Sequence, residues 1–126
     1  MKKLYVACSM SMFATMQYDT YLARIKADYP EHEILEPKLL YHCHTEWLEG
    51  WKDLKPLLSL FIFFRDTEDY IGLGVVTEMI GLRCPILLLT DSGYVTPDNY
   101  NFKLGPDNRQ HIRVTLKKKR TPKIRG

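Results

Sequence analysis

The most apolar run of the chain, residues 57–64, constrains the fold more than any other segment. A run of this length that is apolar at almost every position indicates a strand with both faces covered, as in a parallel sheet. Shorter runs predict strands at residues 4–8, 34–35 and 85–89, and residues 111–116 alternate like a strand near a sheet edge. The chain is therefore expected to build its core around a sheet.

Segments with helical periodicity separate these strands. Apolar and aromatic residues recur at helical spacing from Tyr18 to Tyr29, where Pro30 ends the helix, and again over residues 46–55 and 75–82. The remaining segments, 9–16, 38–45, 65–72 and 91–108, are predicted loops. The order β-α-β-α-β-α-β-loop-β predicts an α/β protein with a doubly wound, mostly parallel five-stranded sheet, which is a flavodoxin-like or Rossmann-like three-layer sandwich.

The length of 126 residues and the hydrophobic content of 45% fit one compact domain, which we assign to residues 1–116. The net charge divides unevenly: residues 1–108 hold ten basic and fifteen acidic residues (−5), and residues 109–126 hold eight basic and no acidic ones (+8). The basic tail, residues 117–126, could contact nucleic acid or be a solvated terminus. No aromatic residue follows Lys117 to stack on bases, and this favours the interpretation as a solvated terminus.

Cysteine usage and hydropathy indicate the cellular compartment in which the protein is expected. The odd number of cysteines, three, at irregular spacing does not suit a disulfide-stapled secreted domain. No apolar run is long enough for a membrane span or a signal peptide, so we expect a cytoplasmic protein without a membrane partner. The run His42-Cys43-His44 has no second ligand pair at finger-like spacing, so we expect neither a metal nor a cofactor.

The loops after the first and third predicted strands should face the same rim of the sheet, where ligands bind in open α/β folds. The first loop holds Ser9 and Ser11, and the third-strand loop holds Asp69 and Gly72. Glu78 follows on what we predict to be the first turn of a helix, whose positive end would favour the ionised carboxylate. Glu78 is therefore a candidate nucleophile or base, although an ordinary helix-start acid is the simpler alternative.

Other catalytic patterns do not fit the sequence. None of the four histidines lies in a recognisable Ser-His-Asp motif, and no Gly-Lys-Ser/Thr follows the glycines as in a Walker loop. The glycines also follow the third strand, whereas a dinucleotide fingerprint follows the first. What remains is a set of carboxylates near hydroxyl groups, which suits cleavage of a glycosidic bond.

Three pieces of the chain, residues 4–9, 68–78 and 84–89, resemble the nucleoside 2-deoxyribosyltransferase superfamily. The spacing from glycine to glutamate is most similar to that of the nucleoside 5'-monophosphate N-glycosidases, and the resemblance spans about residues 3–97. It implies that Glu78 attacks C1' of the sugar and forms a covalent glycosyl-enzyme intermediate, which water or a second base then resolves. The implied partner is a nucleoside or nucleotide substrate.

The resemblance also implies roles for other residues. Tyr5 would orient the glutamate, Gly74 would let the backbone approach the sugar or phosphate, and Ser9 would contact the ligand. Asp53 is the nearest match to a family aspartate that contacts the sugar hydroxyl or the base, with Asp69 as the alternative. Gly72 belongs to the same substrate-binding stretch.

The chain departs from the family pattern in its first loop. Ser11 stands where phosphate-specific members carry an arginine, although Arg65 or the basic tail could substitute for it. In the family a neighbouring subunit completes the site, and Thr96 lies in the matching segment. The resemblance thus implies a homodimer or larger homo-oligomer, and the aromatic helix positions Trp47 and Trp51 are expected to be packing faces.

A second hypothesis belongs to a different class. On the same fold, the protein could be a non-catalytic binder of a nucleotide-like signal or of a nucleic acid, with the basic tail contributing charge. Release of free base by the wild-type protein would favour the enzyme, whereas salt-sensitive binding without base release would favour the binder.

Overall fold

The computed structural model describes residues 1–104 and 111–117, which form a mixed α/β fold. The strands are β1 Lys2–Ala7, β2 His32–Leu35, β3 Leu58–Phe63, β4 Tyr70–Gly72, β5 Ile86–Thr90, β6 Gly93–Val95, β7 Tyr100–Leu104 and β8 His111–Leu116. The helices are α1 Met16–Asp28, α2 Pro37–Leu40, α3 His44–Leu54 and α4 Leu73–Met79, with short 3-10 turns at Met10–Met12, Lys55–Leu57 and Pro97–Asn99. None of the helices within the described residues is long and apolar enough to cross a membrane.

The main sheet has five strands in the order β2-β1-β3-β5-β6. Strand β1 pairs in parallel with β2 and β3, and β3 pairs in parallel with β5, while β6 runs antiparallel to β5. The predicted mixed α/β fold with a mostly parallel five-stranded sheet is confirmed. The most apolar run of the chain forms the central strand, which is buried at five of its six positions.

The prediction for the end of the chain is wrong in two respects. Residues 111–116 do form a strand, β8, but it pairs antiparallel with β4 and β7 in a separate three-stranded sheet. The fifth strand of the main sheet is β6, inside the segment 91–108 that we predicted as a loop. The tight turn between β5 and β6 depends on Gly93, whose φ of 122° favours glycine. A hydrogen bond from Thr90 Oγ1 to the carbonyl oxygen of Gly93 supports the same turn.

Two other predicted loops contain regular structure. Residues 65–72 end in β4, which pairs with β8, and residues 38–45 overlap the short helix α2, with Pro37 at its first turn. Residues 105–108 of the predicted loop and residues 118–126 of the basic tail lie outside the described residues.

The two faces of the main sheet bury separate clusters, because successive side chains of a strand point to opposite sides. Leu4 and Val6 of β1 pack with the buried side of α1 on one face. Tyr5 and Ala7 pack on the other face, in a cluster that includes residues of α3 and α4. The fold therefore places Tyr5 on the face of the sheet that α4 covers.

Candidate active site at Glu78

Glu78 is a buried carboxylate that two side chains hold by hydrogen bonds. Tyr5 Oη and Trp47 Nε1 both donate to the same oxygen, Glu78 Oε2, and the bond from Trp47 is 3.0 Å long. The carboxylate is 5% exposed. Elements that are far apart in the sequence, β1, α3 and α4, thus meet at one carboxylate.

The predicted position of Glu78 on the first turn of a helix is wrong. Helix α4 begins at Leu73 directly after β4, with Gly72 as the N-cap residue, and it has seven residues. Glu78 is the sixth of these, so it lies near the carboxyl end, where the helix dipole does not favour a negative charge. Any ionisation of Glu78 must therefore be supported by other groups.

Burial controls the charge state of Glu78. Removal from water raises the pKa of this carboxyl to about 7, because burial penalises the charged form, and the hydrogen bonds from Tyr5 and Trp47 offset part of that rise. Burial, together with the adjacent Glu78 carboxylate, raises the pKa of the Tyr5 phenol, so this group remains a neutral donor. Near neutral pH, Glu78 is therefore divided between its protonated and ionised forms.

Two other titratable groups that interact with Glu78, Cys8 and Tyr41, are uncharged as well. Burial and the Glu78 charge raise the pKa of the Cys8 thiol and that of the Tyr41 phenol. Among the described residues no lysine or arginine forms an ion pair with Glu78. The carboxylate thus lies in a low-dielectric setting without a counter-charge, where a cationic group or transition state would be strongly attracted.

A hydrogen bond joins the loop after β1 to the start of α4. The backbone N–H of Gly72 donates to Ser9 Oγ at 2.8 Å. Two of the predicted substrate-binding residues, Ser9 and Gly72, are thereby brought together at the carboxyl ends of β1 and β4. The hydroxyl hydrogen of Ser9 has no acceptor among the described residues and is free to be donated.

Loss of this bond should be measurable. We expect Ser9→Ala to lower the free energy of unfolding by about 1 kcal/mol, since the half-buried N–H of Gly72 would lose its acceptor. Urea unfolding monitored by circular dichroism measures this. Ser11→Ala is the matched control, because Ser11 is exposed in the same loop and should change stability by less than about 0.5 kcal/mol.

Three other predicted site residues are exposed at the surface of the chain. Asp53 is exposed and follows the buried Trp51 by two positions, so it lies on the opposite side of α3. Asp69 is exposed, pairs with Arg65 at 3.3 Å and has a φ of 69°. Thr96 is exposed, and its Oγ1 accepts a bond from Asn99 Nδ2 at 2.9 Å.

Ser11 lies in the loop after β1, as predicted, whereas Gly74 is placed differently from the prediction. Ser11 is an exposed residue of the 3-10 turn Met10–Met12. Gly74 lies inside α4 rather than in a loop, and a Cβ built at this position would meet nothing within 4 Å. The chain itself therefore does not require glycine there for close packing.

A separate cleft opens over the α1 face of the sheet. It has a volume of about 270 Å³, and Gln17, Tyr21, Arg65, Asp69 and Asp91 are among its lining residues. Tyr5 and Glu78 do not line it. We place the candidate site at Glu78, because the acids of the cleft are exposed or engaged in local bonds, whereas Glu78 is buried and has a displaced pKa.

The sequence analysis did not predict the hydrogen bonds that two residues, Trp47 and Glu36, form near the carboxyl ends of the strands. Trp47 was expected to be a packing residue, yet its indole N–H bonds the carboxylate. Glu36, the residue between β2 and α2, is a second buried carboxylate and accepts a hydrogen bond from Tyr18 Oη at 2.7 Å. Both depend on tertiary contacts that the local pattern does not encode.

The described residues hold no group of three histidine, cysteine, aspartate or glutamate side chains suited to a metal ion. The site itself presents a buried carboxylate and two neutral donors, Tyr5 and Trp47. In comparisons with known proteins, no family model, no curated protein and no solved structure matches this chain.

Proposed function

We propose that this protein cleaves the N-glycosidic bond of a nucleoside or nucleotide, as an N-glycosidase or a deoxyribosyl transferase, with Glu78 as the nucleophile. The observation that carries the proposal is the buried carboxylate of Glu78, oriented by Tyr5 and Trp47 through one oxygen. Retaining glycosidases use a carboxylate as the nucleophile that attacks the anomeric carbon.

The proposed reaction has two steps. In the first, an oxygen lone pair of Glu78 forms a bond to C1' while the C1'–N bond breaks, and its electron pair leaves with the base, which takes a proton from water. In the second, water attacks C1', the C1'–O bond to Glu78 breaks, and the carboxylate is restored as the attacking water loses a proton. In a transferase, the ring nitrogen of a second base replaces water and loses its proton instead.

The environment of Glu78 favours the oxocarbenium-like transition state of such a reaction. Positive charge develops at C1', and the titratable groups that interact with Glu78, which are Tyr5, Cys8 and Tyr41, are neutral. Burial strengthens the attraction between this charge and the carboxylate, because the local dielectric is low. Only the ionised carboxylate gains this attraction, so the reaction proceeds through the ionised form of Glu78.

Membership of the nucleoside 2-deoxyribosyltransferase superfamily, on a doubly wound three-layer sandwich, is part of this proposal. It is supported by the position of Glu78 after the central strand, by its contact with the first-strand tyrosine, and by the sheet order. A homo-oligomer with a nucleoside or nucleotide substrate follows from the same resemblance, and the cytoplasmic location follows from the cysteine usage and hydropathy of the sequence. Ser9, whose hydroxyl hydrogen is free, is the proposed ligand contact on the first loop.

The test is a search for base release. Purified protein is incubated with ribonucleosides, deoxyribonucleosides and their 5'-monophosphates, with and without a second free base, and the products are separated by chromatography. We expect free base from at least one substrate, and a glycosyl adduct on Glu78 in acid-quenched protein analysed by peptide mass spectrometry. Absence of base release across the panel, together with salt-sensitive binding of nucleotide or nucleic acid, would refute the enzyme and favour a binding protein.

A further inference from the structure

We propose that Trp47 is a positioning residue that works with Tyr5 to hold Glu78 Oε2, so that Oε1 is the oxygen that attacks the ligand. This inference rests on the proposed function. The geometric basis is that an indole N–H and a phenol O–H, from α3 and from β1, converge on a single carboxylate oxygen. Within the described part of the chain, Oε1 accepts no hydrogen bond.

The two donors distinguish the carboxylate oxygens throughout the reaction. After attack through Oε1, Oε2 becomes the carbonyl oxygen of the glycosyl ester and can still accept from both Tyr5 and Trp47. Attack through Oε2 would convert it into an ester oxygen, a poorer acceptor, and would leave the buried O–H of Tyr5 and the half-buried N–H of Trp47 weakly bonded. The arrangement therefore favours Oε1 in the ionised enzyme and in the intermediate.

Trp51 provides a comparison within the same helix. It lies one turn after Trp47, is 7% exposed and packs against Tyr5 with ring centroids 4.7 Å apart. Its Nε1 has no hydrogen-bond partner among the described residues, whereas the Nε1 of Trp47 donates a hydrogen bond to Glu78. The two tryptophans thus separate an effect of the N–H donor from an effect of aromatic packing.

The groups that face Glu78 allow a titration to be interpreted. Tyr5 from β1, Cys8 after that strand and Tyr41 before α3 are the titratable side chains that interact with it. All three are neutral near pH 7, because burial and the Glu78 charge raise their pKa values. A change in the midpoint near neutral pH then reports on Glu78 itself.

The experiment compares Trp47→Phe with Trp51→Phe. In protein labelled with ¹³C at the glutamate side-chain carboxyl, the resonance lost in Glu78→Gln is assigned to Glu78 and titrated by NMR. We expect Trp47→Phe to raise the pKa of Glu78 by about one unit, since the ionised form loses a donor. Trp51→Phe should leave it within about 0.3 units of the wild-type value.

An isosteric replacement tests the same point without a cavity. The chain has two tryptophans, so in the Trp51→Phe background benzothienylalanine can replace Trp47 alone, with sulfur in place of the N–H. We expect the same rise in the pKa of Glu78, and an equal rise in the pH at which kcat is half-maximal. An unchanged pKa with this analogue would overturn the assignment of Trp47.

The outcome separates this inference from the proposed function. A raised pKa in protein that releases no base supports the role of Trp47 in holding Glu78 and refutes the glycosidase. Base release that depends on Glu78, together with a pKa that does not respond to loss of the Trp47 donor, supports the glycosidase and refutes the positioning role.

Discussion

Glu78→Gln is expected to lower the rate of base release by roughly 10³-fold or more, equivalent to about 4 kcal/mol of transition-state stabilisation. The amide retains a carbonyl oxygen that can accept bonds from Tyr5 and Trp47, so the fold should be preserved. It lacks the negative charge and the nucleophilic oxygen that the first step requires. The measurement is kcat/KM for the best substrate of the panel, with folding checked by circular dichroism.

Glu49→Gln is the matched control for this loss. Glu49 is an exposed residue of α3, the helix that carries Trp47, and its substitution removes one carboxylate from the surface. We expect its kcat/KM to stay within about twofold of the wild-type value, because exposed charges at a distance are screened. Should Glu78→Gln retain more than about a tenth of the wild-type rate, Glu78 would not be the nucleophile.

The family resemblance predicts the contact between Glu78 and Tyr5, whereas the sheet that brings these two residues together is predicted from patterns that are local in the chain. Residues 57–64 are apolar on both faces, and this indicates a central strand with helices on both sides. Alternation along β1 then separates Tyr5 and Ala7 from Leu4 and Val6, and the order of elements places α4 over one of these faces.

The errors arose where pairing is not local. Strands β4, β6 and β7 have three to five residues each, and they exist because a partner strand lies beside them. Helix α4 begins at Leu73 because β4 ends directly before it, and this moves Glu78 from the start of the helix toward its end. Trp47 was missed for the same reason: its spacing to Trp51 indicates a buried helix face, but the carboxylate comes from another element.

A buried, partly protonated glutamate is expected to make the stability of the protein depend on pH. The pKa of Glu78 is about 7 in the folded protein, against an ordinary value of 4.5. Between these values the folded chain binds a proton that the unfolded chain does not, so the free energy of unfolding falls as pH rises. The stabilisation is fully present below pH 4.5 and is lost as pH rises through about 7, with a total on the order of 3 kcal/mol.

Glu78→Gln should remove this dependence. The amide does not titrate, so the unfolding free energy of the variant lacks this contribution. When the variant's value is subtracted from that of the wild type, we expect the difference to fall by on the order of 2 to 3 kcal/mol between about pH 5 and about pH 8. Urea unfolding of both proteins across that range measures it, and groups that titrate in both proteins cancel in the difference. Glu49→Gln, at an exposed position, should give a difference that does not vary with pH. If the difference in unfolding free energy for Glu78→Gln is also independent of pH, the carboxyl of Glu78 keeps its ordinary pKa. The raised pKa could then no longer be used as evidence that this site is catalytic.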